Sequence, residues 1–267
     1  MQIVTTLMKK KRQQAGSQIF VDYPRISVVI PAQNEAKNLP YVLPRIPSFV
    51  TEVILVDGHS SDETIMAAQQ ILPTIRIIKQ RGTGKGNALQ LGFAACSGDI
   101  IVMLDADGSA NPDEIPRFVK ALLGGNDFAK GSRFAEGAGS YDLTWLRRLG
   151  CLGLSTLVNL LFGTKFSDLC YGYNAFWRSC LDKVEIDCEG FEVETLINIR
   201  MHKVNLKIVE VPSIEYPRLY GESHLDTFSD GWRVLKTIVR EWSKTLTQPK
   251  LRAVSGKWQD SSRGNPA

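Results

Sequence analysis

The sequence predicts an α/β fold, in which helices flank a mostly parallel sheet. Short β-branched apolar runs alternate with segments that carry helix-capping signals. Such runs are typical of strands that are buried on both faces of a parallel sheet. Polar clusters follow four of these runs, at the place where sheets of this kind bind their ligands. Together these observations favour strand–helix–strand units with right-handed crossovers.

Four strands are predicted in the first half of the chain. Their sequences are ISVVI at 26–30, EVILV at 52–56, IRIIK at 75–79 and IIVML at 100–104. Each run is short enough for a strand and rich in β-branched residues. We therefore expect four neighbouring strands in one sheet.

Helices are predicted between and after these strands. Ser61 or Asp62 can cap a helix that runs to about residue 72, and residues 86–96 fit a second helix. Asn111 can cap a third helix, with Pro112 at its first position. The pattern then loosens, and the remaining predicted elements are a helix at 144–162, a strand at 171–177, a helix at 192–203 and a strand at 206–211.

Composition indicates an ordinary globular protein. The 267 residues include 32 Lys+Arg and 28 Asp+Glu, which gives a net charge of +4, and 43% are hydrophobic. These values exclude a collagen, a coiled coil and a wholly disordered chain, and the charge is too small to indicate nucleic acid as a partner. Five cysteines without a CxxC pair argue against a disulfide framework and a zinc site. We expect free thiols, no secretory signal and no transmembrane helix.

The polar clusters after the four strands contain the candidate chemistry. They occupy residues 31–35, 57–62, 81–86 and 105–109. Asp105 and Asp107 are separated by one residue, so both carboxylates can turn toward one point and share a divalent cation. Such a cation can bridge a diphosphate and stabilise the charge of a leaving nucleotide. Lys85 lies in a glycine-rich stretch before a helix, which suits phosphate binding.

Seven segments carry a resemblance to a known family. VVIPAQNEAKNLP, ILVDGHSSDET, RGTGKGNAL and MLDADGSANPDEIP, in this order and spacing, resemble the donor half of family 2 glycosyltransferases, which have the GT-A fold. In the second half, KGSRF, SDLCYG and RLYGESHL resemble the polyprenyl-phosphate sugar synthases, the dolichol-phosphate mannose synthase group. The resemblance implies an inverting, metal-dependent transfer from a nucleotide-sugar to an acceptor, with a polyprenyl phosphate as the leading acceptor.

The resemblance also implies roles for individual residues. Asp105 and Asp107 match the motif for Mg²⁺ or Mn²⁺, and Asp107 also counts among the catalytic residues. Ser109, the third metal candidate, stands where mannose synthases usually have Gln as a further metal contact. Arg133 and Arg218 match arginines that hold the acceptor phosphate and the donor diphosphate. The positions that match the nucleotide-sugar pocket are Pro31, Gln33, Asn34, Glu35, Asp57, Lys85, Asp105 and Ser223.

Two acidic residues leave open whether the acceptor is a phosphate or a hydroxyl group. Glu192 and Glu194 lie where family 2 enzymes with hydroxyl acceptors have a general base, and we include Glu194 among the catalytic candidates. A hydroxyl needs such a base at neutral pH, whereas a phosphate monoester does not. A soluble or glycan hydroxyl therefore remains the alternative acceptor. Two other classes are a silent nucleotide-sugar-binding protein and a nucleotidyltransferase.

The sequence also predicts an organisation for the whole chain. We expect flexible tails at 1–24 and 248–267 around one GT-A catalytic domain at 25–247. An amphipathic helix at 228–244 has aromatic residues on one face and basic flanks, which suits a membrane interface. Packing of this helix against the sheet is the alternative. We expect a cytoplasmic protein, either soluble or peripherally bound to a membrane.

Overall fold

A seven-stranded sheet forms the centre of the molecule, in a computed structural model that describes residues 23–222 and 226–247. A separate pair of two-residue strands lies beside it. In chain order the strands are β1 (Ile26–Ala32), β2 (Glu52–Asp57), β3 (Arg76–Lys79), β4 (Ile100–Met103), β5 (Phe128–Ser132), β6 (Gly139–Ser140), β7 (Asn174–Trp177), β8 (Ile208–Pro212) and β9 (Ile214–Glu215).

Seven α-helices connect or cover these strands in the described residues. Short 3₁₀ turns at Leu43–Arg45, Pro112–Glu114 and Arg178–Asp182 join some of them. The helices are α1 (Leu39–Val42), α2 (Thr64–Ile71), α3 (Gly84–Ala95), α4 (Ile115–Leu123), α5 (Trp145–Phe162), α6 (Val193–Lys203) and α7 (Thr227–Thr247).

The sheet confirms the α/β prediction. Its order is β3-β2-β1-β4-β7-β5-β8, with β7 antiparallel to β4 and β5 and the other pairs parallel. The four apolar runs form β1 to β4. The cap predicted at Asn111 is present, because its side chain accepts the backbone N–H of Asp113 at 2.9 Å, although a 3₁₀ turn precedes α4. The strand β5 was not predicted.

Apolar side chains fill both faces of the sheet. One cluster packs α2 and α4 against one face, and a second packs α3 and α6 against the other. The helix α3 lies very close to the sheet because Gly92 has no side chain, and a Cβ there would lie only 2.3 Å from Cγ1 of Val29. A third cluster joins α5, α6 and α7 around Val158, Ile199 and Ile238. The long helices α5 and α7 therefore stand beside the second half of the sheet.

Several predictions about the chain ends concern residues outside the described ranges. These concern most of both predicted tails, and the predicted pocket residue Ser223 also lies outside those ranges. All five cysteines are described and are free thiols. Within 23–222 and 226–247, no helix combines the length and the apolarity needed to cross a bilayer.

Candidate functional site

The carboxyl ends of β1, β2 and β4 open on a cavity of about 770 Å³. The strand order reverses around β1, which is where open α/β sheets form their ligand crevice. Most of the predicted site residues therefore meet in one place. Those that line the cavity are Pro31, Gln33, Glu35, Lys85, Asp105, Asp107, Ser109, Arg133, Glu194 and Arg218.

Two residues predicted for the nucleotide pocket lie behind its wall. Asn34 has a left-handed backbone conformation, with φ 58°, and its side chain accepts the N–H of Ser61. Asn34 therefore ties the loop after β1 to the loop after β2. Asp57 is buried at the end of β2, between the cavity-lining residues Val56 and Gly58.

One oxygen of the Asp57 carboxylate lacks a hydrogen-bond partner in the described residues. Its Oδ1 is buried with no partner among the described residues, while Oδ2 accepts the N–H of Ser60 at 3.4 Å. Buried polar atoms are nearly always hydrogen-bonded in folded proteins. An N–H group at the edge of a nucleobase would supply the missing donor.

A lysine connects the first metal-motif aspartate to the candidate base. Lys85 Nζ lies 2.7 Å from Oδ1 of Asp105 and 2.8 Å from Oε1 of Glu194. Burial favours the neutral amine, but the two carboxylates hold the pKa of Lys85 above its ordinary value. Gly172 permits this contact, since a Cβ there would lie 2.8 Å from Lys85 Nζ. Glu194 is buried while Lys85 and Asp105 are partly exposed, so the three charged groups form one network in the cavity wall.

The second metal-motif aspartate is held by its own loop and by an arginine. Asp107 Oδ1 accepts the hydroxyl of Ser109 at 2.7 Å, and its Oδ2 lies 3.6 Å from Nη2 of Arg218. The same Arg218 nitrogen donates to Oε1 of Glu35 at 2.8 Å. Burial raises the pKa of Glu35, although Asn38 and Arg218 oppose that change. Arg218 Nε is buried without a partner in the described residues, which leaves one donor for an anion.

The two aspartates fit a cation that is shared with a ligand. Mg²⁺ is commonly held by one or two carboxylates together with substrate phosphates, and Mn²⁺ also accepts oxygen ligands. Asp105 and Asp107 are partly exposed to the same cavity. Among residues 23–222 and 226–247, no group of three or more acids, histidines or cysteines converges on a point. Asp105 and Asp107 would be the residues that hold such a cation in this cavity.

Arg133 is held by two carboxylates at the far side of the cavity. It follows β5 and is buried, and its Nε lies 2.7 Å from Oδ2 of Asp168. Its Nη1 lies 3.0 Å from Oε1 of Glu215 in β9. Sequence reasoning did not assign roles to these two acids. The only signal for Asp168 was its place in the quoted SDLCYG segment, and Glu215 had none.

The two candidate bases differ in their surroundings. Glu194 is buried at the start of α6 and faces the cavity through its contact with Lys85. Burial raises the pKa of Glu194, against the opposing effect of Lys85. Glu192 does not line the cavity, and its Oε1 accepts the N–H of Gly190 at 3.2 Å. The structure therefore brings Glu194, but not Glu192, to the site.

The cavity also has an apolar end that sequence reasoning did not place there. Leu146, Cys151 and Leu154 of α5 line it, together with Val234 of α7. Arg147 at the start of α5 lies in the same wall. The cavity therefore extends from charged groups at the strand ends to apolar groups between two helices.

Comparisons with known proteins agree on one family. The sequence profile described as Glycosyl transferase family 2 matches residues 27–185. A dolichol-phosphate mannosyltransferase of Pyrococcus furiosus is 31% identical over 211 residues, which are 75% of this chain but only 59% of that protein. A dolichyl-phosphate hexose transferase of Haloferax volcanii is 31% identical over 219 residues, or 80% of this chain and 92% of the relative.

Solved structures show the same architecture. Glucosyl-3-phosphoglycerate synthase from Mycobacterium tuberculosis, in complex with Mg²⁺ and UDP, superposes with a TM-score of 0.65 at 25% identity. Its complex with Mn²⁺, UDP-glucose and phosphoglyceric acid gives a TM-score of 0.64 at 25% identity. Each match covers 82% of this chain and 80% of the other.

Proposed function

The chain belongs to glycosyltransferase family 2 and has the GT-A fold, and on that premise we propose that it transfers a hexose from a nucleotide-sugar to a polyprenyl phosphate with the help of Mg²⁺ or Mn²⁺. The observation that carries this proposal is the shape of the cavity. One end presents Asp105 and Asp107 at the sheet, and the other end is apolar and lies between α5 and α7. A polar donor and a lipid acceptor need such opposite surroundings.

The donor lies at the charged end in this proposal. Asp57 Oδ1, which has no partner in the described residues, would accept an N–H of the base, and Asp105 and Asp107 would hold the cation. The bound cation neutralises charge that builds up on the leaving nucleoside diphosphate. Arg218 adds a second positive group beside Asp107 and would also stabilise the leaving diphosphate. Its Nε has no partner in the described residues. Ser223, which is also predicted to contact the nucleotide-sugar, lies outside the described residues.

The acceptor phosphate lies near Arg133 in this proposal. Arg133 lines the cavity, and Asp168 and Glu215 hold its guanidinium in place from behind. The phosphate oxygen attacks the anomeric carbon from the side opposite the leaving diphosphate, which inverts the configuration. The second pKa of a phosphate monoester is about 6, so most of the acceptor phosphate is doubly ionised at neutral pH without a base.

The surroundings of Glu194 agree with a phosphate acceptor. Its carboxylate lies 2.8 Å from Lys85, so taking a proton from a hydroxyl would break a buried ion pair. We assign Glu194 as a positioning residue that holds Lys85 against Asp105. A hydroxyl acceptor, with Glu194 as base, remains the alternative that the assay below separates.

The outer faces of α5 and α7 support contact with a membrane surface. Val234 and Ile238 of α7 pack inward, whereas Phe228 and Trp232 are 77% and 57% exposed. On α5, Trp145 is 74% exposed. Aromatic and apolar groups with basic neighbours suit the headgroup region of a bilayer. The basic neighbours on α7 are Arg233, Lys236, Arg240 and Lys244.

A labelling assay tests the proposed function. The purified chain is mixed with Mg²⁺ or Mn²⁺, a polyprenyl phosphate in detergent, and radiolabelled UDP-, GDP- or dTDP-hexoses in turn. We expect label to enter the organic-extractable lipid with one of these donors. Label in a soluble hydroxyl acceptor, with none in lipid, would contradict the proposal.

Asp107→Ala is the matched variant for this assay. It removes one of the two carboxylates that face the diphosphate while leaving the buried strand β4 untouched. We expect loss of transfer with an unchanged circular dichroism spectrum. Undiminished transfer by a folded Asp107→Ala protein would remove the proposed cation site.

A further inference from the structure

Two cysteines flank the buried ion pair between Arg133 and Asp168 in the cavity wall. Cys151 lies on α5 and Cys170 lies in the segment before β7, and both line the cavity. Cys151 Sγ lies 3.8 Å from Nη2 of Arg133. The backbone N–H of Cys170 donates to Oδ1 of Asp168 at 3.2 Å, and that oxygen accepts the same Nη2 at 3.0 Å. The N–H of Leu169, the residue before Cys170, donates to Oγ of Ser155 at 3.0 Å, one helical turn beyond Cys151 on α5. The two cysteines are therefore neighbours, and the interaction of their thiols lowers the pKa of Cys151 and raises that of Cys170.

We propose that Cys151 and Cys170 form a peroxide-sensitive dithiol, a site of reversible disulfide formation in the wall of the cavity. Both residues are only partly buried, so a small oxidant can reach them through the cavity. The other cysteines, Cys96, Cys180 and Cys188, are buried. The proposal does not depend on which acceptor the chain uses.

The surroundings of Cys151 favour its thiolate, the form that reacts with peroxides. The hydrogen bond from Cys170, together with the charge of Arg133, lowers the pKa of Cys151 to about 7 against the effect of burial. Burial raises the pKa of Cys180 to about 11 and that of Cys188 to about 12. Cys151 is therefore expected to react first.

The oxidant is a hydroperoxide such as hydrogen peroxide. The Cys151 thiolate attacks one peroxide oxygen, the O–O bond breaks, and the leaving hydroxide takes a proton to become water. Cys151 is left as a sulfenic acid. Cys170 then loses its proton and attacks that sulfur, the S–O bond breaks, and a second water leaves as the disulfide forms. Two thiols lose two electrons in total, and one peroxide is reduced to two waters.

The second step follows from the change in charge at Cys151. In the reduced pair, the hydrogen bond to Cys151 is the largest of the effects that raise the pKa of Cys170. A sulfenic acid at Cys151 carries no negative charge, so this effect is relieved when the first step is complete. Burial still raises the pKa of Cys170, but its thiolate is less disfavoured than in the reduced pair, and Cys170 is the nucleophile of the resolving step.

Peptide mapping of the oxidised full chain tests the proposal. The reduced protein is treated with hydrogen peroxide at pH 7, its remaining thiols are alkylated after unfolding, and trypsin digestion is carried out without reductant. Cleavage after Arg148, Lys165 and Arg178 places the two cysteines in separate peptides, 149–165 and 166–178. We expect these two peptides to be joined, and dithiothreitol to release them. Joining that depends on protein concentration, which marks a link between chains, would overturn the proposal.

Two further measurements keep the test independent of any one variant. In Cys170→Ser, Cys151 should stop at the sulfenic acid and be trapped by dimedone on peptide 149–165. In the untreated native protein at pH 7, iodoacetamide should label Cys151 at least about tenfold faster than Cys180, because far more of it is thiolate. Equal labelling rates, or an untrapped Cys170→Ser protein, would contradict the proposal. Cys180→Ser is the control and should form the disulfide like the wild type.

Discussion

A buried glutamate that joins α6 to α7 gives the sharpest prediction of stability. The Glu241 side chain is 2% exposed, and its Oε1 lies 2.7 Å from Nη2 of Arg200. Its Oε2 lies 3.2 Å from Nζ of Lys203. Lys244 approaches Oε1 at 3.3 Å from the solvent side. Arg240 Nε lies 3.8 Å from the same oxygen. Replacing Glu241 by Gln keeps the shape of the side chain but removes the charge that these four cations share.

The direction of the pH dependence follows from the pKa of Glu241. Burial alone would raise this pKa, but Arg200 and Lys203 lower it from 4.5 to about 2. A carboxyl group with a lowered pKa stabilises the fold at pH values above its unfolded pKa, and that stabilisation is lost as pH falls toward the folded value. One pKa unit corresponds to about 1.4 kcal/mol, so the shift sets an upper limit of about 3 kcal/mol. Water around Lys244 screens part of it, and we expect about 2 kcal/mol at pH 7.

Urea unfolding of the two proteins measures this contribution. At pH 7, Glu241→Gln should unfold at a lower urea concentration than the wild type, by about 2 kcal/mol in unfolding free energy. At pH 3.5 the difference should shrink to roughly half of its value, because the unfolded carboxyl is then mostly protonated. The exposed Glu63 serves as the control, and Glu63→Gln should change the free energy by less than about 0.5 kcal/mol. A difference that stays constant between pH 7 and pH 3.5 would refute the reasoning.

Three further variants test the cavity. Asp168→Asn removes a buried charge from Arg133 and should lower the unfolding free energy by about 3 to 5 kcal/mol in urea. Asp57→Ala removes the unpartnered carboxylate oxygen proposed to accept an N–H of the base. Calorimetry with UDP and GDP should show that the variant binds the wild type's nucleotide about 10- to 100-fold more weakly. Glu194→Gln should lower kcat by loosening Lys85 while leaving the shape of the pH–rate profile unchanged.

Each of these variants has a matched comparison. Asp113→Asn removes a charge from an exposed ion pair with Arg45 and should cost less than about 1 kcal/mol, in contrast to Asp168→Asn. Equal costs for the two would argue against a buried pair at Arg133. Unchanged nucleotide affinity in Asp57→Ala would separate Asp57 from the base. Loss of the acidic limb of the profile in Glu194→Gln would favour a general base and a hydroxyl acceptor.

Three of the first four strands could be predicted because burial on both faces requires a local run of apolar residues. The strand β3 was predicted from a similar run, but its end residues Arg76 and Lys79 are exposed. Strands covered on both faces must be apolar at nearly every position, and β1, β2 and β4 are buried almost throughout. The strand β5 was missed because its sequence is FAKGS, which places Lys130 in a fully buried strand. Its ammonium group donates to the carbonyl of Gly131 and lies 3.8 Å from Glu210. A buried cation of this kind is stable only with partners that come from other elements.

In the candidate site, too, some positions could be predicted from the local sequence and others could not. The positions of Asp105, Asp107 and Lys85 at strand and helix ends were predicted from nearby sequence. The surroundings of Arg133 were not, because Asp168 and Glu215 hold its guanidinium from distant parts of the chain. The distinction between Glu192 and Glu194 was also invisible in the sequence. It depends on which of the two reaches Lys85 from the first turn of α6.

The sequence by itself determined the α/β class, the family resemblance and the cluster of charged groups at the strand ends. Hydrophobic periodicity and short motifs are local properties, and they can be recognised without knowing what packs against them. Only the tertiary structure decided that Lys85 joins Asp105 to Glu194, that the cavity extends to an apolar end between α5 and α7, and that Cys151 meets Cys170. These contacts join residues far apart in the chain, so they depend on how the folded elements pack and leave no periodic signal in the sequence.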